Sequence, residues 1–165
     1  MEKTEFKHIV HPFAPIYDAS SEILILGSLP SVSSRENGFY YGHSRNRFWP
    51  LMAELFAAEP PRTKEEKTAL LLQNRVALWD AVYSCELRAS DDSSIRNVVP
   101  TDLSVILNAS GIRAIYANGA KAGELYRRYQ EKLTGMPITV LPSTSPANAA
   151  WQWERLLAAW SVIHE

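Results

Sequence analysis

Four short apolar runs constrain this chain more than any other feature: EILILG at 22–27, VALWD at 76–80, IRAIYAN at 112–118 and ITVL at 138–141. Each is too short for a stable helix and is enriched in branched residues, the pattern of strands covered on both faces. Helical stretches lie between them. The segment 48–58 carries Pro50 near its start, and 63–73 opens with Thr63 and Glu66 in capping-box spacing. Thr101 is expected to cap a run through Leu107, and 121–133 is amphipathic with lysine and arginine outward. A last helix is expected over 147–164, with Ser145 as its cap and Pro146 in its first turn. Strands alternating with helices predict an α/β protein with three α/β/α layers around a central, mainly parallel four-stranded sheet, in one domain over 1–165. Leu125, Leu133, Leu156 and Leu157 are expected in its core.

Composition narrows the function classes. The chain has 165 residues, 46% hydrophobic and 21% charged, with a formal net charge of -1. That is an ordinary globular composition, and any nucleic-acid binding must rest on a local patch rather than on overall charge. One cysteine, Cys85, excludes a disulfide framework and a cysteine-ligated metal cluster, and the histidines are too scattered to suggest a metal site. No cofactor is expected. The N-terminal residues lack a signal peptide's apolar core and no run reaches membrane-spanning length, so the expectation is a cytoplasmic, soluble protein with no membrane partner.

In parallel α/β folds the ligand crevice lies beyond the carboxyl ends of the strands. Three segments follow the expected strand ends: GSLPS with the loop after it, Asp80 with AVYSCE, and PSTSPANA. They should therefore meet in space. The loop after the first, GFYYGHSRNRFWP at 38–50, joins five aromatic rings to His43, Arg45, Asn46 and Arg47. A core wants rings without arginines, and a solvated surface wants the reverse.

The block GSLPSVSSRENGFYYGHSRNRFWPLM resembles the first motif of the uracil-DNA glycosylase superfamily, closest to its mismatch-specific and hypoxanthine-DNA glycosylase branches. LWDAVYS resembles the base-recognition strand and LPSTSPANA the second motif, in the family's order over most of the chain. The resemblance accounts for the odd loop. An enzyme acting on a base in duplex DNA must flip it, stack on its face and hold the flanking phosphates. Rings supply stacking worth ~1–3 kcal/mol per base, and arginines and backbone amides reach phosphates.

By this resemblance Tyr41 stacks on the flipped base, while Phe48 and Trp49 can equally be packing. Many relatives carry asparagine or aspartate two residues after the first motif's glycine, where this chain has Leu29. Asn46 is the expected replacement. Its amide can orient a water if the glycosidic bond breaks first, leaving an oxocarbenium-like sugar, although asparagine before a helix is also a favoured cap. Asp80 falls where relatives read the base edge. Ionised, it only accepts hydrogen bonds and suits the ring N–H of uracil or hypoxanthine; the alternatives are a helix cap or an ion pair with an arginine. Ser143 stands where some relatives stabilise the leaving base. His43 either donates to the base or a phosphate or holds the loop. Ser31, Arg45, Arg47 and Asn148 are DNA-contact candidates, Ser145 a phosphate site at a helix start, and Ala147 a small wedge.

The expected activity is therefore a monofunctional glycosylase, working as a monomer on double-stranded DNA that contains a deaminated base, because the three matched loops hold no lysine for a Schiff base. A mismatch-specific uracil enzyme, a non-catalytic binder of damaged DNA and an enzyme acting on free nucleosides are the other readings. Asp91 and Asp92 read as a solvated loop, Asn118-Gly119 as a turn, and Trp151 and Trp153 as alternating faces of a helix.

Overall fold

A computed structural model describes residues 5–88 and 94–164, so Asp91 and Asp92 lie outside the described residues. The four apolar runs form one parallel sheet. Its strands are β2 (Ile23–Gly27), β3 (Val76–Asp80), β6 (Ala114–Asn118) and β7 (Ile138–Leu141), in the order β3-β2-β6-β7. Every residue of β2 and β3 is buried, which is why those runs are continuously apolar. Helices flank the sheet in three layers. They are α1 (Val32–Asn37), α2 (Phe48–Leu55), α3 (Lys64–Gln73), α4 (Ser104–Leu107), α5 (Ala120–Tyr129), α6 (Glu131–Thr134) and α7 (Trp153–Trp160). The parallel register places Gly27 opposite Asp80 and Asn118 opposite Leu141. The ends of the strands thus open onto one rim.

A second sheet was not legible in the apolar runs. β1 (Phe6–Val10), β4 (Val82–Arg88) and β5 (Arg96–Pro100) pair antiparallel in the order β1-β4-β5. AVYSCE is therefore the start of β4, entered from β3 across the single residue Ala81, rather than a loop. β4 hides Ser84 and Cys85 side by side, and its register with β5 shifts twice, so neither alternation nor a solid apolar run marks it. Ile16 exchanges backbone hydrogen bonds with Leu78 in both directions (2.9 and 2.8 Å), covering the free edge of β3.

The helix expectations need correction in three places. The capping box at Thr63 and Glu66 is present, but Thr101 caps nothing. It is buried, and its hydroxyl donates to the Asp80 carbonyl (2.7 Å); the Ser104 N–H is taken by Asp102 Oδ1 instead (3.1 Å). The stretch 121–133 is split at Gln130, and Leu133 is 83% exposed rather than core. The last helix begins only at Trp153. Ser145 caps a three-residue 3-10 turn, Pro146–Asn148, so Trp151 lies outside the helix, and both tryptophans are half-buried. Leu125 and Leu156 are buried as expected, and Leu157 packs partly buried against the core.

Candidate active site

The rim of the parallel sheet encloses a cavity of about 390 Å³, within the range of small-molecule sites. Gly27 to Ser31 line it after β2, Asp80 at the end of β3, Asn118 to Lys121 after β6, and Ser143 to Ser145 with Ala147 after β7; Tyr40, Tyr41 and Asn46 reach it from the aromatic loop. Asp80 lies buried on one side. His11, just beyond β1, places Nε2 2.7 Å from Asp80 Oδ2. Asp80 Oδ1 crowds Gly27 so closely that a Cβ built there would lie 2.3 Å from it and 2.9 Å from the Tyr41 hydroxyl. Only glycine fits between them.

Tyr41 adopts a left-handed backbone (φ 53°), unusual for an aromatic residue. The turn stacks its ring on Phe48, with centroids 4.3 Å apart and planes 16° from parallel. Phe48 covers one face of the ring, and Tyr41 borders the cavity. Its hydroxyl tip is buried and makes no hydrogen bond of good geometry. Burial, and then the Asp80 carboxylate, hold the phenol's pKa far above the ordinary range, against a smaller opposing effect of Asn118. The other rings are scaffold. Phe48 and Trp49 are buried, the Trp49 indole donates to the Tyr40 carbonyl (2.9 Å), and the Tyr40 hydroxyl donates to the Ala14 carbonyl (2.8 Å).

Asn46 is held from behind. Its Oδ1 accepts from the Phe48 N–H (2.9 Å) and from the Thr144 hydroxyl (2.8 Å). Thr144, fully buried, also accepts from Asn118 Nδ2 (3.0 Å) and donates its own N–H to Asn118 Oδ1 (3.0 Å). The network stitches together the loops after β6 and β7 and the aromatic loop. Both donors sit on Oδ1, so among the described residues the N–H face of the Asn46 amide is left without a partner, and Asn46 lines the cavity. The cap reading and the site reading are thus compatible, because one amide serves both ends.

Over residues 14–163 the chain matches the model of the uracil DNA glycosylase superfamily. It belongs to that superfamily. A hypoxanthine DNA glycosylase of Methanosarcina acetivorans is 37% identical over 155 residues, which are 92% of this chain and 95% of that protein. A second protein of that name, from Methanosarcina barkeri, is 31% identical over 140 residues, 82% and 86% of the two chains. A solution NMR structure from Methanosarcina acetivorans, provisionally named a uracil DNA glycosylase, superposes with a TM-score of 0.78 at 33% identity, over 94% of this chain and 98% of that one.

Within this superfamily fold, the residues singled out from sequence divide into two groups. Tyr41, Asp80, Asn46, Ser143, Ser31, Ser145 and Ala147 all border the cavity. Ser31 also caps α1 and Ser145 the 3-10 turn, so the phosphate site expected at a long helix start has only that short turn behind it. Ser143 Oγ accepts from the Ser145 N–H (3.1 Å). His43, Arg45, Arg47 and Asn148 do not line the cavity. His43 Nδ1 accepts from the Arg45 N–H (3.0 Å), which shapes the loop, and the Arg45 side chain is exposed. Arg47 donates to the carbonyls of Trp151 and Asn148, and Asn148 Nδ2 donates to the Ser143 carbonyl (3.0 Å). Arg47 and Asn148 fasten the aromatic loop to the second motif instead of facing outward.

Sequence reasoning missed His11, Arg35, Asn118 and Lys121. His11 pairs across 69 positions with no local pattern to announce it. Asn118 ends a strand at the same rim as Asp80, the one signal that would have found it. Asp80 meets a histidine where the alternative reading had an arginine. Among the described residues no three His, Cys, Asp or Glu side chains come together as a metal site needs.

Proposed function

We propose that this protein is a monofunctional DNA glycosylase that extrudes a deaminated base from duplex DNA, hypoxanthine in first place and uracil in second, and hydrolyses its bond to deoxyribose. It acts as a monomer and without a cofactor. The observation that carries the reading is the convergence of the Phe48-backed Tyr41 ring, the Asp80 carboxylate and the Asn46 amide on one cavity. The names of the relatives favour hypoxanthine.

The Tyr41 face supplies stacking, worth about 1–3 kcal/mol for one base. Asp80 Oδ1 accepts the ring N–H that hypoxanthine and uracil both present. The bond from C1′ to the base breaks ahead of attack, and its electron pair leaves with the base nitrogen. A water positioned by Asn46 Nδ2 adds its oxygen to C1′ and loses a proton to solvent, while the base takes one up. Orientation matters more than basicity for a nucleophile meeting an oxocarbenium-like centre. Ser31, Ser145 and Ala147 border the cavity where the flanking strand would pass, and the exposed Arg45 is next to Asn46 in the chain.

Asn46→Ala tests this beside wild type on duplexes containing inosine or uracil. Loss of release with DNA binding retained is expected; unchanged release would return Asn46 to scaffolding. Inosine hydrolysis without DNA, with binding indifferent to salt, would instead identify a nucleoside enzyme, because phosphate contacts weaken steeply as salt rises. Leu29 on the cavity wall favours one rival, a non-catalytic binder of damaged DNA. Binding without release from any deaminated duplex would establish that reading.

A further inference from the structure

His11 is absent from all three family-like segments, yet it makes the only hydrogen bond to the Asp80 carboxylate among the described residues. The two side chains are 2% and 4% exposed, so neither is served by bulk water. The imidazole plane is fixed from several sides. The His11 backbone N–H donates to the Tyr83 carbonyl (2.7 Å), and Nδ1 lies 2.9 Å from the Phe13 carbonyl and 3.2 Å from the Phe13 N–H. The Phe13 and Trp79 rings meet the imidazole edge-on, and Tyr40 packs at a tilt. Nε2 has one direction left, toward Asp80 Oδ2.

A carboxylate shut away from water and lacking a donor takes up a proton. We propose that His11 is a positioning residue that sets base selectivity: its Nε2–H on Oδ2 keeps Asp80 ionised and acceptor-only, leaving Oδ1 to read the base. This rests on the reading of Asp80 as the base contact. Its consequence concerns adenine, the parent of hypoxanthine. Hypoxanthine offers a ring N1–H; adenine offers a lone pair at N1. Ionised Asp80 bonds the first and repels the second, whereas a protonated Asp80 would donate to adenine N1 and lose the distinction.

The other titratable groups around Asp80 do not replace His11. The Tyr40 and Tyr41 phenols come from the aromatic loop and are held neutral by burial and by Asp80 itself. Arg35 from α1 and Lys121 from α5 line the same cavity, but neither bonds the carboxylate; Lys121 pairs with Glu124 at 3.7 Å.

Two measurements test the proposal. Carboxyl NMR follows Asp80 in the free protein, as wild type, His11→Ala and His11→Gln. In His11→Ala the Asp80 carboxyl signal is expected to show the protonated form at pH values where wild type shows the ionised one. Glutamine, which keeps an N–H donor near the Nε2 position, should bring the titration part of the way back. Single-turnover release is then read across pH from duplexes carrying inosine or adenine. The acid limb of inosine release should move up with Asp80, and the adenine-to-inosine ratio should rise about tenfold for each pH unit by which the Asp80 titration moves.

An unmoved Asp80 titration in folded His11→Ala overturns the proposal, as does unchanged adenine rejection while Asp80 is protonated. If His11→Ala does not fold, the wild-type imidazole nitrogen spectrum decides: Nε2 protonated beside an ionised Asp80 is expected, and an unprotonated Nε2 overturns it. If Asp80 titrates higher as expected but wild type releases no base from any duplex, the glycosylase reading fails, and His11 still sets the charge state of Asp80.

Discussion

Replacing Thr144 with valine keeps the shape of a fully buried side chain and deletes one oxygen. That oxygen donates to Asn46 Oδ1 at 2.8 Å and accepts from Asn118 Nδ2 at 3.0 Å. Two neutral hydrogen bonds at about 1 kcal/mol each put the stability loss near 2 kcal/mol. For a chain of this length that lowers Tm by about 4–8 °C. The backbone bonds of Thr144, to Asn118 and Arg47, survive the substitution, so the loop itself should hold. Asn46 keeps its anchor on the Phe48 N–H but loses the second one that fixes which way the amide faces. If that second anchor is worth about 1–2 kcal/mol of orientation, release from an inosine duplex falls about 5- to 30-fold. Thermal unfolding and single-turnover release, measured together with DNA binding, separate the two effects. Binding should be nearly unchanged, since Thr144 is sealed from solvent. A variant that melts lower yet releases base at the wild-type rate would show that the Asn46 orientation is not what the network supplies to the reaction.

Gly27→Ala forces a methyl between Asp80 Oδ1 and the Tyr41 hydroxyl; a stability loss of about 1–3 kcal/mol and loss of base release are expected, and wild-type release would mean that the site does not use this arrangement. Tyr41→Phe removes a buried hydroxyl with no partner, so stability at neutral pH should be unchanged or slightly higher by thermal unfolding. The Tyr41 pKa is raised above 10.0 in the fold, so its contribution to stability is complete below pH 10.0 and is lost as pH rises further; wild type should lose Tm above that pH more steeply than the phenylalanine variant. Lys121 lines the cavity although the three matched loops hold no lysine, and it pairs with Glu124. Borohydride should trap no covalent adduct on an inosine duplex; an adduct that disappears in Lys121→Ala would replace hydrolysis by Schiff-base chemistry.

The parallel sheet was legible because β2 and β3 are buried along their whole length and β6 through its middle, and burial on both faces writes itself as a short apolar run. The rule that ligands gather at the strand ends then located Gly27, Asp80 and the two motif loops. What failed shares a cause. β1 and β5 are half-exposed strands that bury no residue fully, and β4 buries the polar Ser84 beside Cys85, so no period marks them. A helix from 147 is too long an expectation because Ser145-Pro146 is an equally good cap for a 3-10 turn. Arg47 looked like a phosphate contact from its type, but donor type does not say whether the acceptor is a phosphate or a carbonyl of the same chain. Asn46 and Thr144 are 98 positions apart, and their bond is a property of the assembled loops alone.

Under the proposed mechanism the same geometry accounts for Leu29 in a chain of this superfamily. A residue that only orients water needs a fixed direction more than it needs charge. The Leu29 position is half-buried, packed against the core and on the wall of the cavity that already holds Asp80. A carboxylate there would set a second negative charge on the cavity that Asp80 lines, and like charges in one site disfavour the ionised form that the proposed base reading requires. A neutral amide avoids that conflict. Asn46 gains its direction from Phe48 on its own loop and from Thr144 on the second motif, so its orientation is set by two segments at once. Leucine at 29 then keeps Asp80 as the lone carboxylate among the lining residues, and the buried partner that balances it is His11.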